Sequence, residues 1–424
     1  MNTVFKNKGY VTLMTAQVIS SIGDWLSIVA IITLVGLKWN ASPIEVSLVI
    51  LCLALPMALF GPVAGTVADR FSRKALMITS DLVRAGLILI LTVADTLWVV
   101  YVCLFIVGVF SAVFIPAKNG KLKELVADSD MKSAMAVTSM IDSSTKVIGP
   151  LLSGILVASL GAHLVFLIDS GTFLVSSLFI FLLPNARSQT FETINEVDEA
   201  SFKKEFIAGV SYMKTNRQLL VGLFFLGISL MILQLSDSQI IVLLRELTEA
   251  SPDLFGYLVA SSGIGMFVCG MYLAKKTEYH SFPLMMLGVC GIGLSFGMMA
   301  VFTHIDLGFS LVWGPTLGIL AGFAASLVFV PFQATVQVDT PVHMTGRVFG
   351  VINSVTTTAT IIGPLLGGWL STIIGVIPTF IITASLLVLL SVTGFFTKSK
   401  REWGKSNVSK SQQGTRGKTT SEHT

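Results

Sequence analysis

Long runs of apolar residues fill most of this 424-residue chain, and short polar connections separate them. A helix of about 20 mostly apolar residues crosses the roughly 30 Å hydrocarbon core of a bilayer. By that measure the pattern predicts an all-α membrane protein with twelve transmembrane helices. The predicted spans cover residues 10–37, 44–68, 75–94, 97–117, 133–158, 162–184, 217–244, 253–274, 281–303, 307–331, 345–371 and 373–396.

An internal repeat and one long polar interval divide these spans into six and six. Residues 149–156 read GPLLSGIL and residues 363–370 read GPLLGGWL, while VFIP at 113–116 matches VFVP at 328–331. Two related six-helix halves in parallel orientation are typical of one class of secondary transporters. The predicted organisation is a bundle over 1–184, a cytoplasmic linker over 185–216, a second bundle over 217–396 and a basic, disordered tail over 397–424.

The composition excludes most other protein classes. The chain is 53% hydrophobic and only 12% charged, whereas soluble domains carry about 25% charged residues. Such a chain is neither a soluble domain, nor a disordered protein, nor a nucleic-acid-binding protein. It contains no metal-ligand spacing, no phosphate-binding loop and no nucleophile–base pattern, so we expect no enzyme activity and no cofactor.

Charge placement predicts the orientation in the membrane. If the N-terminus is cytoplasmic, 24 of the 28 Lys and Arg residues fall on the cytoplasmic side, which is the side that carries the cationic excess. Only Lys38 and Arg245 then lie outside the cell. Both termini are therefore expected in the cytoplasm of a bacterial-type inner or plasma membrane, with lipids as neighbours. We expect a monomer.

The connection after the second span carries the most specific motif, with glycine, aspartate and arginines at fixed spacing. It reads Gly65-Thr66-Val67-Ala68-Asp69-Arg70-Phe71-Ser72-Arg73-Lys74. This pattern resembles the loop signature of the major facilitator superfamily of secondary transporters. The resemblance implies that Gly65, Asp69, Arg70 and Arg73 form a conformational latch between the halves. The counterpart at 270–276 keeps a glycine and two cations but no acid.

A narrower resemblance rests on several short motifs, which are Gly23-Asp24, the runs 81–85, 116–118, 124–126 and 169–173, and Gly149-Pro150. Together they resemble the macrolide-efflux and enterobactin-exporter branch of the drug:proton antiporters. This implies proton-driven export of an amphipathic drug or natural product, or alternatively of a siderophore or lysophospholipid. A membrane sensor or scaffold that transports nothing is the alternative from another class, although no soluble signalling domain supports it. One departure is the fourth span, which lacks the arginine that many drug antiporters place there.

The Gly-Pro pairs of the repeat have a conformational role in the resembled antiporters. Proline removes a backbone donor and kinks a helix, and glycine lets a neighbouring helix approach the kink. Gly149 with Pro150 and Gly363 with Pro364 are therefore expected to flex or seal during transport. A plain packing kink is the alternative.

Four ionisable residues inside the spans are candidates for proton coupling, because charge within a bilayer is costly and usually functional. At 1.5 Å per residue, Arg84 and Asp142 lie about 14 Å from the cytoplasmic end, and Lys146 and Asp24 lie about 20 and 21 Å from it. We expect Asp24 to respond to protons, held near Lys146 and Asp142. A permanent pair that only fixes helix packing is the alternative. Asp81 is expected to pair with Arg84, and Asp169 to be structural.

The first, fourth, seventh and tenth spans are expected to line a central cavity. An aromatic and methionine-rich wall suits large amphipathic substrates, although lipid-facing helices carry similar residues. Asp237 is expected either at a solvated mouth or in a gate. The candidate cavity residues are Trp25, Phe110, Met231, Gln234, Asp237, Trp313 and Phe329.

Overall fold

The computed structural model describes residues 6–127, 130–184, 199–248, 251, 253–276, 279–341 and 344–397, and at some positions within them only the backbone. Regular structure in these ranges is helical. The helices are α1 (Lys8–Thr33), which continues into a π-helical turn (Leu34–Lys38), α2 (Pro43–Arg70), α3 (Arg73–Leu91), α4 (Leu97–Leu125), α5 (Met131–Phe181), α6 (Glu199–Thr215), α7 (Arg217–Asp237), α8 (Ile240–Leu244), α9 (Leu254–Ala274), α10 (Ser281–His304), α11 (Ser310–Asp339), α12 (Thr345–Ile374) and α13 (Val376–Thr397).

Ten stretches of the described chain are long and apolar enough to cross a membrane. Helix α3 is not among them, because its 19 residues include two charged residues in the middle, Asp81 and Arg84, besides those at its start. The predicted fifth and sixth spans form the single helix α5, interrupted only at Gly161 with φ +75°. Ten spans are therefore described where twelve are predicted. The count of twelve stays a prediction that requires α3 to cross and α5 to cross twice.

Polar residues at the helix starts explain several boundaries. The Asn7 side chain accepts a hydrogen bond from the Tyr10 amide, and the Asn216 side chain accepts from two amides of α7. Before α2, Ser42 and Glu45 form a reciprocal capping box with Pro43 at the first helical position. Each cap satisfies amide groups that the helix itself leaves without partners.

The two copies of the repeat pack alike. Gly149 of α5 lies against the side chain of Trp25 on α1, and Gly363 of α12 lies against the side chain of Gln234 on α7. One turn further, Ser153 donates a hydrogen bond of 2.9 Å to the Trp25 carbonyl. A side chain larger than hydrogen at either glycine would overlap the neighbouring helix, which explains the residue type at both positions.

Helices α1–α5 pack chiefly on each other, and so do α7 and α9–α13; we call these groups the first half and the second half. Because consecutive long helices run in alternate directions, the starts of α1, α3 and α7 lie at one end of the bundle, the terminal end. The opposite end is the far end. In the predicted linker 185–216, helix α6 packs on α7 and α12 of the second half, so part of that interval is an ordered helix.

Two helix pairs, α5 with α9 and α2 with α12, join the halves. Gly154 of α5 meets the backbone of Gly256 and Ala260 on α9, and Gly256 in turn meets Gly154 and Ala158. These residues lie toward the far end of both helices. The close approach needs hydrogen as the side chain, because each neighbour is backbone or a nearby Cβ.

Candidate functional site in the first half

The first half contains a buried guanidinium with several carboxylates around it. We call Asp24, Asp81, Arg84 and Asp169 the Arg84 cluster. Arg84 is 2% exposed and forms ion pairs with Asp81 on its own helix and with Asp24 on α1, the latter at 3.4 Å. The Asp81–Arg84 pair expected from the three-residue spacing is therefore present.

Aromatic rings and a hydrogen-bonded carboxylate surround the Arg84 guanidinium. Its guanidinium carbon lies 4.4 Å from the ring centre of Phe173 and 4.7 Å from that of Phe114, which are cation–π distances. Its partner Asp81 is fully buried and accepts a 2.7 Å hydrogen bond from Ser176. The Nε atom of Arg84 has no hydrogen-bond partner among the described residues, so one buried donor is left over.

Asp24 differs from the other members because its side chain is 46% exposed. The expectation placed it beside Lys146 and Asp142, whereas its described partner is Arg84. The predicted depths of Asp24 and Arg84 in the membrane differ by about 7 Å, and the long side chain of Arg84 is able to span that distance. A carboxylate that is open on one side and paired on the other can exchange with water and still influence a buried charge.

Asp169 belongs to the cluster, although only a structural role was expected for it. It is fully buried and accepts a hydrogen bond from Ser27 of α1, and Thr172 lies 3.1 Å from its Oδ1 atom. Gly23 makes room for it, since a Cβ there would overlap Asp169 and Thr172. A polar Asp-Ser-Gly-Thr run inside an apolar span is the sequence signal that marks this position.

A buried lysine, Lys118 of α4, lies nearer the terminal end. Asp142 of α5 was expected beside Lys146. The side chain of Lys146 lies outside the described residues, so its predicted pairing stays a prediction.

Arg73, one of the expected latch residues, makes its described contacts within the first half. Arg73 pairs with Glu124 of α4 at 2.9 Å and donates to the Gly120 carbonyl, while Arg70 is exposed and Gly65 has open space around it. The Arg73 contacts described here therefore link α3 to α4, whereas the expected latch links the two halves. The side chain of Asp69 lies outside the described residues.

Polar contacts at the far end join the halves. Ser47 of α2 donates a 2.5 Å hydrogen bond to the Pro364 carbonyl of α12, and Gln239 donates to Ser47 at 2.8 Å. Arg245, which follows α8, donates to the carbonyls of Gly36 and Ala41 in the first half at 3.1 and 2.7 Å. The Pro364 carbonyl of the second half is thus an acceptor for a side chain of the first half.

A loop contact adds to the order of the far end. The Thr248 amide donates to the Asp306 carboxylate at 3.1 Å, across the connections that precede α9 and α11. Hydrogen bonds from Thr248 lower the pKa of Asp306 below its usual value, because they favour the ionised form.

The predicted cavity residues divide into three groups. Phe110, Met231, Gln234 and Phe329 are partly exposed, as is Trp25 against Gly149, and Asp237 is exposed at the end of α7. Trp313 is removed from the set. It is buried, its indole packs edge-on against Phe302, and its N–H donates to the Leu307 carbonyl at 3.1 Å.

A polar stripe on α12 was not predicted from the sequence. Asn353, Ser354, Thr357 and Thr358 are exposed within a span, and the Ser354 and Thr358 hydroxyls donate to carbonyls one turn earlier. Those hydroxyls are satisfied locally, but an exposed amide such as Asn353 is costly in lipid and favoured in a wet cavity.

Comparison with known proteins decides the family. The sequence profile of the Major Facilitator Superfamily matches residues 13–359. The chain belongs to this superfamily. It is a multi-pass membrane transporter.

Its relatives include uncharacterised and characterised transporters. This transporter is 37% identical over 420 residues to the uncharacterized MFS-type transporter YfiS of Bacillus subtilis, covering 98% of this chain and 99% of YfiS. It is 22% identical over 390 residues to macrolide efflux protein A of Streptococcus pyogenes, covering 90% and 94%. The crystal structure of a point mutant of the nucleoside transporter NupG superposes with a TM-score of 0.69 at 13% identity, covering 92% of this chain and all of that one.

Proposed function

We propose that this transporter exports amphipathic drugs or natural products in exchange for protons, by alternating access. The observation that carries the proposal is the Asp24–Arg84 contact, in which a half-exposed carboxylate meets a buried guanidinium within the bundle. Protonation of Asp24 would remove its charge and weaken its attraction for Arg84. The efflux names of relatives such as macrolide efflux protein A support the direction and the kind of substrate.

The proposed orientation places the terminal end in the cytoplasm of the cell membrane. The excess of Lys and Arg at that end supports it. The far-end contacts of α5 with α9 and of α2 with α12 would then close the outer side, and the cavity would be open to the cytoplasm. In the opposite state the loop of Asp69 and Arg70 would act as the latch, and the Gly149-Pro150 and Gly363-Pro364 kinks would bend.

The direct test uses inside-out vesicles that contain the full chain. A panel of cationic, neutral and anionic amphipaths, including a macrolide, is offered with and without an imposed pH gradient. Uptake of a panel compound that stops when the gradient is collapsed supports proton-driven export. Uptake that survives the collapse contradicts antiport. Uptake of a catecholate siderophore or a lysophospholipid alone would favour the alternative cargo, and a panel in which no compound moves would favour a sensor.

A further inference from the structure

The Arg84 cluster holds more carboxyl groups than one guanidinium can balance. Asp81 and Asp24 share the guanidinium, and Asp169 lies nearby with Ser27 and Thr172 as its described hydrogen-bond partners. If all carboxyls were ionised, the cluster would carry an excess of two negative charges inside a bundle that lies in the bilayer. Two bound protons would make the cluster neutral.

Hydroxyl groups of Ser27 and Thr172 surround the carboxyl of Asp169. A threonine hydroxyl has one hydrogen to donate. The Thr172 hydroxyl donates to the Asp169 backbone carbonyl at 2.7 Å, the usual bond of a threonine within a helix, and the same oxygen lies 3.1 Å from Asp169 Oδ1. The one hydroxyl hydrogen is therefore shared between the carbonyl and Oδ1, and the described residues place no cation within hydrogen-bond distance of the Asp169 carboxyl. A carboxyl protonated at Oδ1 fits the same oxygens, since it donates to Thr172 and accepts from Ser27 at Oδ2.

Arg84 is placed to respond when Asp169 ionises. Phe173, which stacks on the guanidinium at 4.4 Å, follows Asp169 by four residues, so the two side chains are one helical turn apart. The Nε donor of Arg84 lacks a described partner, and the contact with Asp24 is long at 3.4 Å. The charged groups that act on Asp169 are Asp24 of α1, across Gly23, and Arg84 of α3.

We propose that Asp169 is a second proton-binding carboxyl, and that Arg84 shifts from Asp24 toward Asp169 when Asp169 loses its proton. The proposal rests on the proposed proton antiport and adds a second proton to each cycle. The proton leaves Asp169 Oδ1 for water admitted from the Asp24 side, and the guanidinium charge balances the carboxylate that forms. Since Ser27 ties Asp169 to α1, the charge change would act directly on the α1–α5 contact.

Infrared difference spectroscopy on the full chain in lipid vesicles tests this without a substrate. Spectra at about pH 5 and about pH 8 are subtracted, a range that brackets perturbed carboxyl groups. We expect a pH-dependent C=O stretching band from carboxylic acids that are shielded from water. Asp169→Asn should remove the part of this band that comes from Asp169, and Asp24→Asn should remove the part that comes from Asp24. Asp95→Asn, in the exposed connection after α3, is the matched control and leaves this band unchanged.

Neighbouring substitutions keep the proposal testable if Asp169→Asn fails to fold. Thr172→Val removes the hydroxyl that contacts Asp169 Oδ1 and should shift the C=O band without abolishing it, whereas Thr172→Ser keeps the hydroxyl and the wild-type band position. A band that persists in full in Asp169→Asn, or that is unmoved by Thr172→Val, overturns the proposal. Loss of the band in Asp24→Asn alone would do so too, while leaving proton antiport through Asp24 intact. Antiport itself is judged by the vesicle uptake experiment.

Discussion

At the scale of residues, Arg84 forms ion pairs with two carboxylates that differ in burial. Asp81 is its neighbour three residues away, fully buried and supported by Ser176, so this pair forms a permanent unit. Asp24 reaches the same guanidinium from another helix and remains half exposed. Of these two carboxylates, Asp24 is the one whose side chain is open to water.

Asp24→Asn should therefore abolish accumulation driven by a pH gradient while leaving expression intact. The amide keeps the shape of the side chain but cannot ionise, and Arg84 retains its ion pair with Asp81, so we expect the variant to fold. Uptake into inside-out vesicles measures the first effect and thermal unfolding the second. Asp95→Asn serves as the control, and full residual transport in Asp24→Asn would remove the assignment.

Asp306 gives a pH dependence outside the membrane. Hydrogen bonds from Thr248 lower the pKa of Asp306 in the folded protein. The contribution of the ionised Asp306 to folding stability is therefore complete above its pKa in the unfolded chain, about 3.9, and is lost as the pH falls through its lower pKa in the folded protein. The protection of the Thr248 amide from exchange, measured relative to an unstructured amide at the same pH, should fall on acidification below about pH 4 and in Asp306→Asn at neutral pH. An unchanged Thr248 amide in the variant would contradict the contact.

How far these residues could be predicted depends on how local their contacts are. The Asp81–Arg84 ion pair could be predicted from the sequence, because the two residues are three apart on one helix. The Asp24–Arg84 contact depends on the rotation of two helices about their axes, which hydropathy does not specify. The position of Asp169 in the cluster could not be predicted, because α1 and α5 approach each other there only where Gly23 has no side chain. A glycine in an apolar span does not by itself indicate which helix packs against it.

At the scale of elements, the halves meet where glycine lets backbones touch. Helices were predictable because each must satisfy its own backbone in lipid, and apolar length alone marks them. Helix α6 was not, since its 17 residues lie in a polar interval and its order depends on packing against α7 and α12. The junction at Gly161 was predicted, since the break between the spans 133–158 and 162–184 falls at residues 159–161; the structure makes this connection with Gly161 as its one non-helical residue.

Gly154→Ala should weaken far-end closure. Its Cβ would overlap backbone atoms of Gly256 and Ala260, which cannot rotate away, so overpacking should cost about 1–3 kcal/mol. The open population would rise about 5–150-fold. Maleimide labelling of Ser47→Cys, in a background without native cysteines, reports this opening. Gly171→Ala, with open space around it, is the control, and equal labelling rates in the two variants would refute the effect.

At the scale of the whole molecule, the two halves contribute unequally. The buried ion pairs described here lie in the first half, whereas the second half presents the neutral polar stripe of α12 and supplies Arg245 to the far end. The repeat predicted two similar halves, and the packing of Gly149 and Gly363 agrees with it. The uneven distribution of charge was visible only in the scarcity of ionisable residues in the later spans.

Arg245→Gln should shift the molecule toward opening at the far end. Arg245 donates to two carbonyls of the first half, and a hydrogen bond from a charged donor contributes about 1.5–3 kcal/mol. The closed population should fall by about tenfold or more. Spin labels at the exposed positions Val93 and Ile305 measure the distance between the halves. Lys276→Gln at the terminal end is the control, and an unchanged distance distribution in Arg245→Gln would count against the lock.

The junction at Gly161 has a consequence for recognition of the protein from its far side. Gly161 is the one non-helical residue between the two long helical segments of α5. His163 is hydrogen-bonded to the Thr92 carbonyl and to Lys38. This corner therefore offers almost no extended chain that a protease or an antibody could bind. An epitope tag inserted there would separate the two helices and disturb the hydrogen bonds of His163, whereas the connection around Asp95 offers an exposed place to accept one.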